Sequence, residues 1–501
     1  AFQHGIPIKN LDIVVKIPEY FTFKKHYKGY LFSYFEKVEK NRTINYSYKE
    51  RPDILSVSSK HRERVDLSEK TFSMYKKDIP AITANEPYML NIQNYVGGVQ
   101  FELNSIQFPN SMPKYYTTTW EDVAKQIYSN SNFGGELTKT SYFKKDLDFL
   151  LKTANTDSQK IGAIFQFVKS KVKWSGIYGL YVENGVKEAY KSGAGNVAEI
   201  NLMLVSMLRE AGLNANPVLV STRDNGSGVL NVPTVKGFNY VVASIVLEGR
   251  YFVLDATETY SVPNVLPLRA ITKKGRLIDK KGNSIWLNLT PNRVSSEDRK
   301  MYITLDEDLN AKGLLRTTYS NLSALNYRNN KNHLKESGLV EKLEETYNIE
   351  IDDFKISNKV IISKPVIRNF KFSAEDLVEE ISGKLYISPL AFLTLTINPF
   401  KLKDREFPVD FGVPFKEKNT VSITIPESYN VESFPKAQVF TISDNMATYG
   451  FKTVLRGKKI NIISQLEINT PVVTPEFYSE LKEFYNQMIK KQTEKIVLIK
   501  E

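Results

Sequence analysis

The sequence predicts an α+β chain in three parts. A β-rich segment spans residues 1–135, a helix-bearing core spans 136–291, and a second β-rich segment spans 292–501 and closes with a helix. Three observations lead there. Strand-like stretches dominate both ends, the middle switches to helical periods, and 501 residues exceed what one hydrophobic core usually serves.

In the first segment Leu11–Ile17, Thr43–Tyr48 and Val96–Phe108 read as strands, with Gly97-Gly98 as turn material. Thr119 followed by Asp122 predicts a helix start for Trp120–Tyr128, and Phe133-Gly134-Gly135 is expected to break the chain. From Asp157, apolar residues at Ile161, Ile164, Phe165, Val168 and Val172 form the stripe of an amphipathic helix. A second helix over Asn196–Ala211 is apolar nearly all round, which predicts burial, and Gly212 stops it. Pro217–Thr222, Phe238–Leu247 and Tyr251–Ala256 follow as strands, the last two joined by the hairpin signal Glu248-Gly249.

Polar Asn292–Lys300 reads as a boundary. Beyond it Tyr302–Leu305, Leu314–Tyr319, Leu385–Ile397, Val421–Ile425 and Lys459–Ile463 read as strands, with two short helical patches near 321–348. Thr474-Pro475 opens a final helix carrying Phe477, Leu481, Phe484 and Met488 on one face.

Hydrophobic content of 42% with 25% charge describes a folded chain rather than a disordered one. No apolar run reaches the roughly 18–20 residues of a membrane-spanning helix, so no transmembrane segment is expected. No signal peptide opens the sequence, so the chain reads as mature or truncated. Cysteine is absent, which removes disulfides, thiolate metal sites and thiol nucleophiles together. The net charge of +12 is scattered among 56 acids, and Lys24-Lys25-His26 and Lys60-His61-Arg62 lack interleaved stacking aromatics. These are solvated faces, and no nucleic-acid partner is expected.

The informative stretch is Lys191–Thr257. A buried helix that starts after the turn Ser192-Gly193-Ala194-Gly195 has its positive dipole end where a thiol's pKa would be lowered. Gly195-Asn196-Val197-Ala198-Glu199, running into Ile200–Leu208-Arg209-Glu210-Ala211-Gly212, resembles the start of the transglutaminase-like core. That family reads Gly-Asp-Cys-x-Asp and then Leu-Leu-x-x-Leu-Leu-Arg-x-x-Gly. The resemblance places the family's cysteine on Val197, its preceding acid on Asn196 and the following acid on Glu199. Gly237-Phe238-Asn239-Tyr240 and Asp255-Ala256-Thr257 match the family's histidine strand and its Asp-x-Thr strand, so the histidine maps to Tyr240. The register agrees: if Leu247 pairs with Arg250, Asp255 lies opposite Val242 and Tyr240 is its diagonal neighbour on the same face, with Asn239 on the other.

Trp120-Glu121-Asp122-Val123-Ala124 before Phe133-Gly134 resembles the end of the β domain that precedes this core in bacterial proteins. Ile397-Asn398-Pro399-Phe400, Arg405, Phe407-Pro408-Val409-Asp410-Phe411 and Ile425-Pro426 resemble the β domain that follows it. The chain is thus similar to bacterial transglutaminase-like proteins flanked by two β-rich domains of unknown function, along nearly its whole length. The departures cancel the family's chemistry. A valine has no lone pair to attack with, and a tyrosine with a pKa near 10 is a poor base at neutral pH. His4, His26, His61 and His333 all lie outside 136–290, which excludes a histidine relay or histidine metal site within the core.

The expected function is a catalytically inactive, pseudoenzyme-type binding or scaffold component of the bacterial cell envelope. Its location would be extracytoplasmic, periplasmic or outer-membrane associated. Its partner would be a protein, peptide or glycan of the envelope, and no cofactor or metal is expected. The rival is a hydrolase that uses carboxylates in the old cleft, such as Glu199 with Asp255 or Glu258. Asp255 reads more simply as a strand-end residue holding backbone N–H groups. Trp174 is either core packing or cleft lining, and Arg223, in the loop Arg223-Asp224-Asn225-Gly226, is either a turn residue or a ligand contact.

Overall fold

A computed structural model of the chain describes residues 2–29, 35–50, 59–82, 86–116, 119–226, 233–291 and 293–501. The chain forms two compact units. One comprises Ala1–Glu86, Leu90–Gln126 and Asn225–Gly237, the other Pro87–Met89, Ile127–Asp224 and Phe238–Glu501.

The first unit holds two three-stranded antiparallel sheets. Ser59–Ile79 lies between Ile8–Pro18 and Glu36–Glu50, and Gly98–Ile106 lies between Phe21–Lys28 and Lys114–Tyr115. Buried Phe72 meets Phe101 with ring centroids 6.1 Å apart. The helix Trp120–Ser129 starts as its sequence predicts. The Thr119 hydroxyl accepts from the Asp122 amide at 3.1 Å, and the Asp122 carboxylate accepts from the Thr119 amide at 3.2 Å.

Within the second unit, helices Asp157–Lys171 and Val197–Glu210 pack together, and the latter lies on a five-stranded antiparallel sheet. The strand order is Arg250–Leu254, Tyr240–Leu247, Ala215–Val220, Lys274–Ile278, Ser284–Asn288. Both helices begin with a complete capping box, Thr156 with Gln159 and Asn196 with Glu199. Each box satisfies two amides that the helix itself leaves unpaired. Every residue from Val197 to Leu208 is buried, as apolar character on all sides requires. The hairpin has the expected register, Leu247 opposite Arg250. Its two turn residues, Glu248 at φ 50° and Gly249 at φ 72°, supply the paired positive φ values that match the strand twist.

The last part of this unit is an eight-stranded sheet and a four-stranded sheet that share one hydrophobic core with the helix Tyr478–Thr493. Leu481, Phe484 and Met488 face that core, and a 3₁₀ turn at Pro475–Phe477 precedes the helix.

Three local expectations need correction. Phe133-Gly134-Gly135 does not break the chain but lies in a π turn, Ser131–Gly135. Gly134 permits it, because a Cβ there would sit 1.9 Å from the Tyr128 carbonyl oxygen. The strand read over Leu385–Ile397 is only Lys384–Ile387. Ser388-Pro389 ends it, since proline cannot donate to a ladder and restricts its predecessor. Polar Asn292–Lys300 is largely strand, within Ser295–Leu305 of the large sheet, while Asn292 itself lies outside the described residues. One of its charges is paired across the half-buried strand: Arg299 binds Glu297 and reaches Glu417 at 3.4 Å.

Candidate functional site

The central helix presents its N-terminus to the hairpin strands through one polar residue, Asn201. Fully buried, it donates from Nδ2 to the Val241 carbonyl at 2.9 Å and to Asp255 Oδ1 at 3.0 Å, and its Oδ1 accepts from the Ala256 amide at 2.9 Å. Val197 stands one turn earlier on the same helix face and is fully buried. Its amide donates to the Ile177 carbonyl at 3.3 Å.

Asp255 is a hub. Beyond Asn201, Oδ1 accepts from the Thr257 amide at 3.0 Å and the Thr257 hydroxyl at 2.7 Å, and Oδ2 accepts from the Tyr240 hydroxyl at 2.7 Å. Four donors occupy the acceptor capacity of an ionised carboxylate. Behind the two hydroxyls lies Arg269. Its Nε donates to the Tyr240 oxygen at 3.2 Å and its Nη2 to the Thr257 oxygen at 2.8 Å. Each hydroxyl thus accepts a hydrogen bond from the guanidinium and donates its own to Asp255. The result is an ion pair relayed through two side chains. Burial, and then the Asp255 charge, push the Tyr240 phenol well above its usual pKa, so it is a donor and cannot serve as a base. Burial alone would lower Arg269, but Tyr240, Asp255 and Glu258 outweigh it and hold the guanidinium above its ordinary value.

The other sequence-selected residues are likewise engaged. Glu199 Oε1 gathers the amides of Glu183, Asn184 and Gly185 at 2.7–3.2 Å, and Oε2 takes the Asn196 amide at 2.8 Å. Asn196 caps the helix and donates to the Tyr181 carbonyl at 2.9 Å. Asn239 is pinned to Thr222 by two hydrogen bonds, of 2.9 and 2.8 Å. Arg223 pairs with Asp410 at 3.0 Å and is not among the residues that border the cleft at Trp174. Glu258 accepts from Arg269 at 2.5 Å and from Asn329 at 2.8 Å. No oxygen of Glu199, Asp255 or Glu258 is left without a donor, which speaks against a carboxylate pair poised for hydrolysis. Among the described residues no group of three His, Asp or Glu side chains could hold a metal ion, and no helix is long and apolar enough to cross a membrane.

Trp174 lines a cleft and is also packed. Its Nε1 donates to the Ile177 carbonyl at 3.0 Å, its ring stacks on Tyr178 at 5.7 Å, and Arg269 lies over it at 4.1 Å. The cleft beside it, of about 390 Å³, is also bordered by Lys169, Lys173, Thr257, Glu258 and Asn329. Another hollow, about 330 Å³, lies against the final helix near Phe440 and contains none of these residues.

Residues 147–256 match the transglutaminase-like superfamily. That stretch of the core is similar to transglutaminase-like domains. Residues 383–498 match a second family, a domain of unknown function known from a solved structure (DUF3858). A crystal structure from Parabacteroides distasonis, provisionally named a protease, superposes with a TM-score of 0.53 at 13% identity, covering 99% of this chain and 73% of that one. A protein from Cytophaga hutchinsonii, provisionally named a cysteine protease, gives a TM-score of 0.21 at 10% identity, covering 56% of this chain and 87% of that one. The first likeness shows the fold alone. No curated protein matches the chain in sequence.

Thr257 is read from sequence only as the end of the Asp-x-Thr strand, and Asn201, Arg269 and Lys169 are not singled out there. Asn201 carried a signal, since an asparagine in the middle of an all-apolar helix must find buried partners. Arg269 and Lys169 carried none, because their partners lie far away along the chain.

Proposed function

We propose that this chain is a non-catalytic transglutaminase-like protein that acts as a binding or scaffold component of the bacterial envelope, on its extracytoplasmic side. One observation carries the non-catalytic half. The position that would hold the base is filled by a phenol locked between Asp255 and Arg269, beside a helix whose first residue is a buried valine. Neither a valine side chain nor a phenol that donates to Asp255 supplies a nucleophile or a base at neutral pH. The envelope assignment rests on the absence of cysteine, which fits an exported chain, and on the resemblance to bacterial transglutaminase-like proteins flanked by two β-rich domains.

The test is an amine-incorporation and peptide-hydrolysis screen on purified protein. No turnover is expected; turnover that disappears in Asp255→Asn would overturn the reading. Pull-down from envelope fractions should return a protein, peptide or glycan partner, and a strictly cytoplasmic chain would contradict the location.

A further inference from the structure

Lys169 stands at the end of the helix Asp157–Lys171 with 2% of its surface exposed, yet it borders the cleft beside Trp174. A buried ammonium is costly unless paired with an acid or fully hydrogen-bonded. Lys169 has three protons to place. One goes to the Ser261 carbonyl at 2.7 Å, and the Phe165 ring lies 4.4 Å from the nitrogen. Among the described residues no carboxylate pairs with it. Lys173, on the same cleft wall, donates to the Lys169 carbonyl at 2.8 Å and also lacks an acidic partner among the described residues. The one acid lining the cleft, Glu258, is held by Arg269 and Asn329. With Arg269 counted, three cations face two acids, Glu258 and Asp255.

We infer that this cleft binds a small molecule or peptide end bearing a carboxylate, with the Lys169 ammonium as its buried counter-charge, Lys173 as a second cation and Val172 and Trp174 as apolar wall. The volume, about 390 Å³, lies in the range of small-molecule clefts. Carboxylate fits better than phosphate. The Arg269 fork, which could grip either anion, is already occupied by Tyr240, Thr257 and Glu258, and the apolar wall of Val172 and Trp174 beside the two lysines suits the carbon skeleton of an organic acid rather than a bare phosphate. Lysine offers a compact point charge, suited to a single anion. The assignment rests on the binding role proposed above and names its ligand class. The burial that makes the ammonium costly also lowers its pKa, to about 8, with Lys173 adding to the effect.

Titration calorimetry on the full chain tests it, using N-acetyl amino acids and blocked dipeptides with free carboxylates, their C-terminal amides, and inorganic phosphate. Carboxylates should bind, the matching amides about tenfold or more weaker, and phosphate weaker still. Lys169→Met should lose about tenfold or more. Lys173→Met, at an exposed position that does not endanger folding, should lose a few-fold, and Lys187→Met, outside the cleft, nothing. No carboxylate binding, equal binding of amides, tighter binding of phosphate, or wild-type affinity in Lys173→Met would each overturn the assignment. The turnover screen is a separate readout. Failure here leaves the non-catalytic reading standing, and turnover there leaves these affinities as measured.

Discussion

Two neighbouring regions of the core handle buried charge in opposite ways. Around Asp255 every donor and acceptor has a partner, and the negative charge is answered by Arg269 through two hydroxyls. Around Lys169 the positive charge is buried with one carbonyl and one ring face. The closed network adds rigidity, whereas the open one retains capacity for a ligand. On the proposed reading, the triad position has turned into structure while the adjacent cleft keeps the polar asymmetry that binding needs.

The largest effect should come from opening the closed network. Asp255→Ala leaves the Tyr240 hydroxyl, the Thr257 hydroxyl and amide, and Asn201 Nδ2 short of an acceptor and removes the charge opposite Arg269, and should cost about 3–5 kcal/mol, read by denaturant unfolding. A loss below about 1 kcal/mol would show that the relayed ion pair is not structural.

The second effect tests the open region through pH. A Lys169 pKa of about 8 in the folded state, against 10.5 for an unperturbed lysine, means the folded protein holds this proton less tightly than the unfolded chain. Protonation of Lys169 therefore costs stability fully below about pH 8, and the cost is relieved as pH rises towards 10.5. Relative to Lys169→Met, the wild type should gain up to about 3 kcal/mol across that window. A flat difference curve would place the ammonium in contact with an acid or with bulk water.

Tyr240→Phe removes one relay and should cost about 1–3 kcal/mol with no change in any measured turnover. A neutral result would mean that Thr257 alone carries the pairing. The smallest effect is expected from Val197→Cys, within about 1 kcal/mol of wild type. Its thiol should resist alkylation until the protein unfolds; rapid labelling of the native variant would reveal an accessible site that the valine now plugs.

The parts of this contrast differed in how legible they were. The central helix was plain because Val197–Leu208 is apolar on all sides, and the Glu248-Gly249 turn fixed the register that sets Tyr240 beside Asp255. Those signals are local. Arg269 lies 29 residues from Tyr240 and carries no motif, and Ser261 lies 92 residues from Lys169, so neither pairing leaves a periodic trace. Asn292–Lys300 misled for a physical reason: the strand is only half-buried there, and Arg299 is neutralised by Glu297 and Glu417, so a paired charged strand looked like a polar boundary. Pro389 was the missed stop signal in the segment read as one long strand.

Glu199 holds the amides of Glu183, Asn184, Gly185 and Asn196 at once. One carboxylate therefore locks a distant turn to the start of the central helix, and these four protons can be released only together. In native-state hydrogen exchange they should behave as a single kinetic unit, opening in one event and sharing one free energy. A Glu199→Ala chain would then free all four to exchange independently.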